Sequence, residues 1–324
     1  MDVAGGTLDI WPLYLYHPGA VTVNFAINRY ASCALETRAG SQIILESRDL
    51  KTRETFASLD ELCRARNYRL SLPAYLIRFF APRGGFRLCT DSEAPAGAGI
   101  AGSSTLIIAI ASVLNRLTGA GYPLEQIREI SQNIEAQIIR VPTGSQDYYP
   151  AMYGGVNAIE LTPAGIFRKP IAVDLEDFNQ RIVLAYTGEP RNSAINNWEV
   201  MKAHIGRDRQ VQRNFDRIAA IAQAMRSALE RGDWQEAGRL LREEWQHRRK
   251  NYPGISTPLI DRLVGLSRRA GALGAKVCGA GGGGCVFFLV ERGAAPRVAD
   301  VIRGAGAQLL PVSVAKSGVR VKSE

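Results

Sequence analysis

Three glycine-rich runs in this chain bring backbone amides and short polar side chains together in ways that could bind or transform a ligand. The first is Pro95-Ala96-Gly97-Ala98-Gly99-Ile100-Ala101-Gly102-Ser103-Ser104-Thr105, directly ahead of an apolar helix pattern. Glycines at this spacing let the backbone turn tightly and aim its N–H groups at one anion. The helix that follows adds free N-terminal amides and the positive end of its dipole. Ser103, Ser104 and Thr105 supply hydroxyls suited to phosphate oxygens or a magnesium shell. The chain contains no GxxxxGK[ST], so this is no Walker A loop. The plain alternative is a glycine-rich loop ending in a serine helix cap.

The second run is Pro142-Thr143-Gly144-Ser145-Gln146-Asp147, after a helix pattern that bears Glu135. An aspartate on such a loop can accept a hydrogen bond from a substrate hydroxyl, and then its proton. Glu135 could offer a carboxylate to a divalent cation. A turn residue and a solvated helix residue are the ordinary alternatives for these two. The third run is Lys276-Val277-Cys278-Gly279-Ala280-Gly281-Gly282-Gly283-Gly284-Cys285-Val286-Phe287-Phe288, whose glycines allow very close approach to a ligand or another loop. Strand residues follow at once where a dinucleotide fingerprint would open a helix, which argues against a Rossmann site. Near the amino terminus, Ala4-Gly5-Gly6-Thr7-Leu8-Asp9 also joins a glycine turn to a carboxylate.

The elements that must position these runs follow from periodicity. Val21, Val23, Phe25 and Ile27 alternate with smaller or polar residues and predict a strand, as do Ile43–Glu46, Val156–Leu161 and Ile182–Tyr186. Helical spacing spans Leu70–Phe80, Ser103–Leu117, Leu124–Ile139, Val211–Glu230, Trp234–Arg249 and Thr257–Ala270. Residues 141–155, broken by Pro142, Gly144, Pro150, Gly154 and Gly155, read as a structured loop. Lys276–Val314 reads as strand, glycine turn, strand, helix, strand.

Composition narrows the class. The chain has 324 residues, 46% of them hydrophobic and 22% charged, which suits a globular protein of about two domains. Its longest strongly apolar run, Leu106 to Leu114, is far short of the roughly 20 residues that span a bilayer. No secretion signal is legible, and five scattered cysteines without CxxC fit a reducing cytoplasm better than a disulfide scaffold. The net charge is +9, but the basic residues around Lys202–Lys250 are interleaved with acids such as Asp208, Asp216, Glu230, Glu236 and Glu243. That pattern describes solvated helix faces or a field that attracts anionic substrates. No aromatic residues interleave with a basic stripe, so neither nucleic acid nor membrane is an expected partner. The oligomeric state is not legible.

Taken in order, these runs resemble the GHMP kinase superfamily, which includes galactokinase, homoserine kinase and mevalonate kinase. Pro95–Thr105 matches its PxxxGLGSS[AS] phosphate motif, with Ile100 for Leu, Ala101 intervening and Thr105 for the small final residue. Lys276–Cys285 resembles the third family motif. Ala4–Asp9 is similar to the AGGxTD or GGGxTD form of the sugar-kinase branch, close to heptose 7-phosphate kinases and fucokinases. Further likeness to that branch lies in Gly144-Ser145-Gln146-Asp147, Gly154-Gly155-Val156-Asn157, Tyr186-Thr187-Gly188 with Arg191 and Ser193, and Glu244-Trp245 with Arg248-Arg249-Lys250. Such kinases usually open on a strand whose arginine precedes the glycine turn, a position that would lie before Met1.

The resemblance implies an α+β fold with a ribosomal protein S5 domain 2-like amino-terminal domain and a ferredoxin-like carboxyl-terminal domain, expected at residues 1–170 and 171–324. It implies a kinase that uses ATP and Mg2+ to phosphorylate a sugar or sugar phosphate. Asp147 is the implied catalytic carboxylate. Pro95, Gly97, Gly99, Ala101, Gly102, Ser103, Ser104 and Thr105 would hold the nucleotide phosphates, and Ser103 and Glu135 the metal. Asp9, Gly144, Gln146, Arg191, Gly279, Gly281 and Gly282 would line the acceptor side. Surplus basic charge at Arg191 and Arg248–Lys250 favours a phosphorylated acceptor. A nucleotide-binding homologue without turnover and a kinase for an alcohol such as homoserine or mevalonate stay open as alternatives.

Overall fold

In the computed structural model, residues 1–189 and 193–323 are described, with 193–195 as backbone alone. Along the chain the strands are β1 (Asp2–Ala4), β2 (Val21–Phe25), β3 (Ala31–Arg38), β4 (Ile43–Ser47), β5 (Thr52–Phe56), β6 (Gly85–Ser92), β7 (Val156–Thr162), β8 (Gly165–Pro170), β9 (Ile182–Tyr186), β10 (Ala272–Val277), β11 (Cys285–Val290) and β12 (Gln308–Leu309). The helices are α1 (Leu59–Arg64), α2 (Ser71–Phe80), α3 (Gly102–Thr118), α4 (Leu124–Ile139), α5 (Tyr148–Tyr153), α6 (Leu175–Asn179), α7 (Ser193–Ile205), α8 (Arg209–Glu230), α9 (Trp234–Arg248), α10 (Pro258–Arg269) and α11 (Ala295–Gly304). The segments with helical spacing all fold as helices. The expected loop over 141–155 differs in part, because Tyr148, Tyr149 and Met152 bury themselves by forming the short helix α5.

The chain divides into two compact units that are interleaved along the sequence, so they do not coincide with a single cut at residue 170. The first comprises Met1–Asn28, Ala96–Ile100 and Gly144–Gly318. It contains two antiparallel sheets, ordered β1-β2-β7-β8 and β10-β11-β9-β12. β10 and β11 are buried at every position, as expected of strands covered on both faces. α9 and α10 pack on β10, and α8 packs on β1 and β2. Leu8, Ile10, Tyr149, Phe215, Trp245 and Phe288 belong to one continuous core. β2 is likewise fully buried, so its polar residues Thr22 and Asn24 lie in the interior.

The second unit comprises Arg29–Pro95, Ala101–Thr143 and Val319–Glu324. Its sheet runs β3-β6-β4-β5, with β4 and β6 parallel and the other neighbours antiparallel. α3 packs on β3 and β6 and against α2 and α4. Ile107, Ala111 and Leu114 follow one another at helical spacing on its buried side. Gly119, left-handed at φ 65°, ends α3 by donating its N–H to Arg116 and Asn115 carbonyls. α4 buries Ile127, Ser131, Ile134 and Glu135, which share one face at i, i+4, i+7 and i+8.

Candidate active site

In the first unit the amino-terminal glycine turn meets the loop that carries Asp147. Asp9 is buried, and its Oδ2 accepts the Gln146 N–H at 2.8 Å. The approach depends on Gly144, because a Cβ there would overlap the Asp9 carboxyl group. From behind, Asn24 Nδ2 on β2 donates to the Gln146 carbonyl at 3.0 Å. Asn157 on β7 donates to Asn24 Oδ1 at 3.4 Å, and Arg168 on β8 donates to Asn157 Oδ1 at 2.6 Å. Both backbone polar groups of the residue before Asp147 are therefore fixed by buried side chains. The Gln146 side chain is itself buried, and its Oε1 has no hydrogen-bond partner among the described residues.

Asp147 stands half-buried at the start of α5, with a helical backbone and a carboxylate that does not cap the helix. Its negative charge adds to the effect of burial on Asp9, whose pKa is pushed up to about 7 against the Gln146 hydrogen bond. Two carboxyl groups with different environments can divide the work of holding and accepting protons.

The glycine run after β10 belongs to the same unit. Cys278 N–H donates to Cys285 O at 2.8 Å, closing the turn between β10 and β11. Cys285 N–H donates to Ala98 O at 2.7 Å, and Gly282 N–H to Ile255 O at 2.9 Å. A Cβ at Gly284 would meet the Ala98 carbonyl, so glycine is what allows residues 96–100 to lie against the run. Gly279, Gly281 and Gly282 line this turn at positive φ. Arg191 lies outside the described residues.

In the second unit, α3 begins at Gly102 behind a left-handed Ala101 (φ 65°), without a side-chain cap. Ser103 Oγ donates to Glu135 Oε1 at 2.7 Å, joining the α3 start to the packed face of α4. Glu135 is thus buried rather than solvated. Ser104 is buried too, while the Thr105 hydroxyl donates to the Ala101 carbonyl at 2.8 Å, so that proton is spent within the helix. Pro95 precedes the loop in this unit, and Gly97 and Gly99 are left-handed in the other. Among the described residues no three His, Cys, Asp or Glu side chains gather as a metal cluster. The Ser103–Glu135 oxygen pair nevertheless suits magnesium, which commonly takes one or two carboxylates together with substrate phosphates.

Sequence reasoning gave no role to Asn24 and quoted Asn157 only as part of a motif. Each is a polar residue at a buried strand position, where it requires a hydrogen-bond partner. It also gave the wrong surroundings for Arg248. The side chain is buried and ion-paired, so it adds no surplus surface charge, whereas Arg249 is exposed and bridges Asp261 at 2.9 Å.

The first unit holds a loop-borne aspartate close to a buried carboxyl group, and the second a helix start whose hydroxyl pairs with a carboxylate; each suits one part of phosphoryl transfer. Comparison with known proteins gives the class its name. The family model for the GHMP kinases N terminal domain matches residues 67–155, and that for GHMP kinases C terminal matches 225–308. The chain is 25% identical to D-glycero-alpha-D-manno-heptose 7-phosphate kinase of Campylobacter jejuni, over 99% of this chain and 96% of that one. It is 26% identical to L-fucokinase/L-fucose-1-P guanylyltransferase of Bacteroides fragilis, over 90% of this chain but only 34% of that longer protein. Its fold superposes on Lactococcus lactis galactokinase complexed with galactose at a TM-score of 0.80 and 21% identity, over 98% of this chain and 92% of the other. The chain belongs to the GHMP kinase superfamily. It has the two-domain α+β architecture of that superfamily, and its chemistry is ATP-dependent phosphoryl transfer to a hydroxyl of a small molecule.

Proposed function

We propose that this chain is a sugar or sugar-phosphate kinase in which Asp147 acts on the acceptor hydroxyl. The observation that carries the reading is the buried Asp9–Gln146 contact, which fixes the residue before Asp147 against a carboxyl group able to hold or accept a proton near neutrality. Support for a sugar comes from the Ala4–Asp9 and Gly144–Asp147 runs and from relatives named as heptose and fucose kinases. Two carboxyl groups and a Gln146 Oε1 without a hydrogen-bond partner among the described residues suit an acceptor with several hydroxyls. Asp9 and Gln146 would bind those hydroxyls, with Gly144, Arg191, Gly279, Gly281 and Gly282 completing the acceptor side.

Asp147 orients the attacking hydroxyl and takes its proton as the oxygen bonds to the γ-phosphorus of ATP, while the bond from that phosphorus to the β–γ bridging oxygen breaks and ADP leaves with the electron pair. Pro95, Gly97, Gly99, Ala101, Gly102, Ser103 and Ser104 are assigned to the nucleotide phosphates, whereas Thr105 gives both its hydroxyl and its N–H to the Ala101 carbonyl. Ser103 and Glu135 would hold Mg2+, which when bound neutralises charge on the phosphate oxygens. Phosphorylated and free forms of the acceptor are both admitted, because two acids balance Arg248 and Lys276. A screen of free and phosphorylated hexoses and heptoses with ATP, reading phosphorylated product by mass spectrometry, tests the proposal. Product from at least one sugar is expected. Turnover confined to homoserine or mevalonate would replace the sugar assignment, and ATP binding without any turnover would replace the kinase.

A further inference from the structure

Four charged side chains, Asp2, Glu244, Arg248 and Lys276, are buried together in the first unit. Lys276 Nζ contacts Asp2 Oδ2 and lies 3.0 Å from Glu244 Oε1. Arg248 Nη1 is 3.3 Å from both Asp2 Oδ2 and Glu244 Oε1. Burial opposes the charge on Asp2, but Lys276 and Arg248 outweigh it and hold the carboxyl down to about 2. A cluster of this kind is costly to desolvate, and apolar side chains of the same volume often serve stability as well or better. Such a cluster can, however, serve a task that apolar packing cannot do, namely donating hydrogen bonds to neighbouring turns.

The other edge of the Arg248 guanidinium shows that task. Its Nη2 donates to the Gly279 carbonyl at 2.7 Å and to Thr7 Oγ1 at 3.2 Å. One planar group thus holds the turn ahead of Asp9 and the turn after β10, while its Nη1 edge is fixed by acids. Gly6 fits the same arrangement, because a Cβ there would overlap both Asp2 Oδ2 and Arg248 Nη1. Lysine offers a single nitrogen and no fork, so it cannot meet both edges at once.

We infer that Arg248 is a positioning residue of the acceptor site, clamping the Gly5–Asp9 turn to the Gly279–Gly283 turn so that both face one acceptor. This rests on the sugar-kinase reading above. Its test uses R248K, T7A, T7S and the T7A/R248K double variant in the full chain. T7A leaves the ion cluster intact and T7S restores the hydroxyl, so a folding defect in R248K does not decide the matter. Amide hydrogen exchange over 5–9 and 279–283 reads the clamp directly, and separate KM values for acceptor and ATP read its effect. T7A and R248K should each speed exchange in both turns and raise the acceptor KM roughly tenfold, with the ATP KM within about twofold. T7S should match the parent, and the double variant should be no worse than R248K alone. Additive effects, or exchange that rises in one turn only, would overturn the clamp. Unchanged acceptor kinetics in variants with loosened turns would overturn the positioning role while parent turnover keeps the kinase reading intact. A parent that phosphorylates no acceptor overturns the kinase reading first, and the positioning role with it.

Discussion

The Asp9 carboxyl group carries the most distinctive chemistry at the scale of single residues. Burial, reinforced by the charge of Asp147, lifts it from 3.8 to about 7. Between about pH 4 and pH 7 the folded chain therefore keeps a proton that the unfolded chain has released, and stability falls as pH rises through that window. Asp9→Asn cannot ionise and should escape this loss. Relative to the parent it should gain stability from pH 4 to pH 8, by on the order of 4 kcal/mol at most. Urea denaturation of both proteins at the two pH values checks this, and a constant difference would count against the raised pKa. Gly144→Ala tests the same contact from its other side. The added Cβ overlaps the Asp9 carboxyl group, so a loss of about 1–3 kcal/mol is expected in the same assay. Both residues were legible as a carboxylate and a loop glycine, but their contact was not, because 135 positions separate Gly144 from Asp9 and no local pattern encodes that meeting.

At the scale of elements, the polar backing of the Gln146 carbonyl comes from strands and makes its own prediction. Asn24→Ala removes the donor to Gln146 O and the acceptor for Asn157, leaving buried polar groups unpaired. The expected loss of stability is about 1–3 kcal/mol, with kcat falling more than the affinity for ATP. Chemical denaturation and nucleotide calorimetry separate the two, and an unchanged kcat would show that the network only supports the sheet. The strands β2 and β11 and the amphipathic helices α3, α4 and α8 announced themselves, although the alternation in β2 implies an exposed face and the strand is buried on both. β3 and β5 did not, because each exposes one face and carries charges such as Glu36, Arg38, Arg53 and Glu54 that mask the alternation. The six-residue α5 is too short for periodicity to reveal, and its aromatic residues are buried by tertiary packing. The glycine runs were legible as motifs. Their mutual contact through Cys285 and Ala98 follows only from the closure of β10 on β11.

For the molecule as a whole, two buried groups pull acid stability in opposite directions. Burial, with help from the neighbouring His17, depresses His204 to about 4, and His17 Nε2 lies 2.7 Å from its Nε2. Below its ordinary value of 6.5 the unfolded chain takes a proton that the folded chain refuses, so this group lowers stability as pH falls toward 4. Asp9 works against that trend over nearly the same window, and Asp9→Asn should expose a steeper acid loss than the parent shows. A melting profile from pH 4 to pH 7 reads this, and parallel profiles for the two proteins would contradict it. The proposed role of Asp147 in phosphoryl transfer from ATP is tested most directly by kcat for Asp147→Asn with the best sugar acceptor. Asparagine keeps the size but loses the charge and the ability to take a proton. The predicted result is a drop of about 10²–10⁴ in kcat, equivalent to roughly 3–5 kcal/mol of barrier, with ATP affinity and melting temperature close to the parent's. A rate within a few-fold of the parent's, in a variant that folds and binds ATP normally, would contradict the assignment of Asp147 as the group that acts on the acceptor hydroxyl.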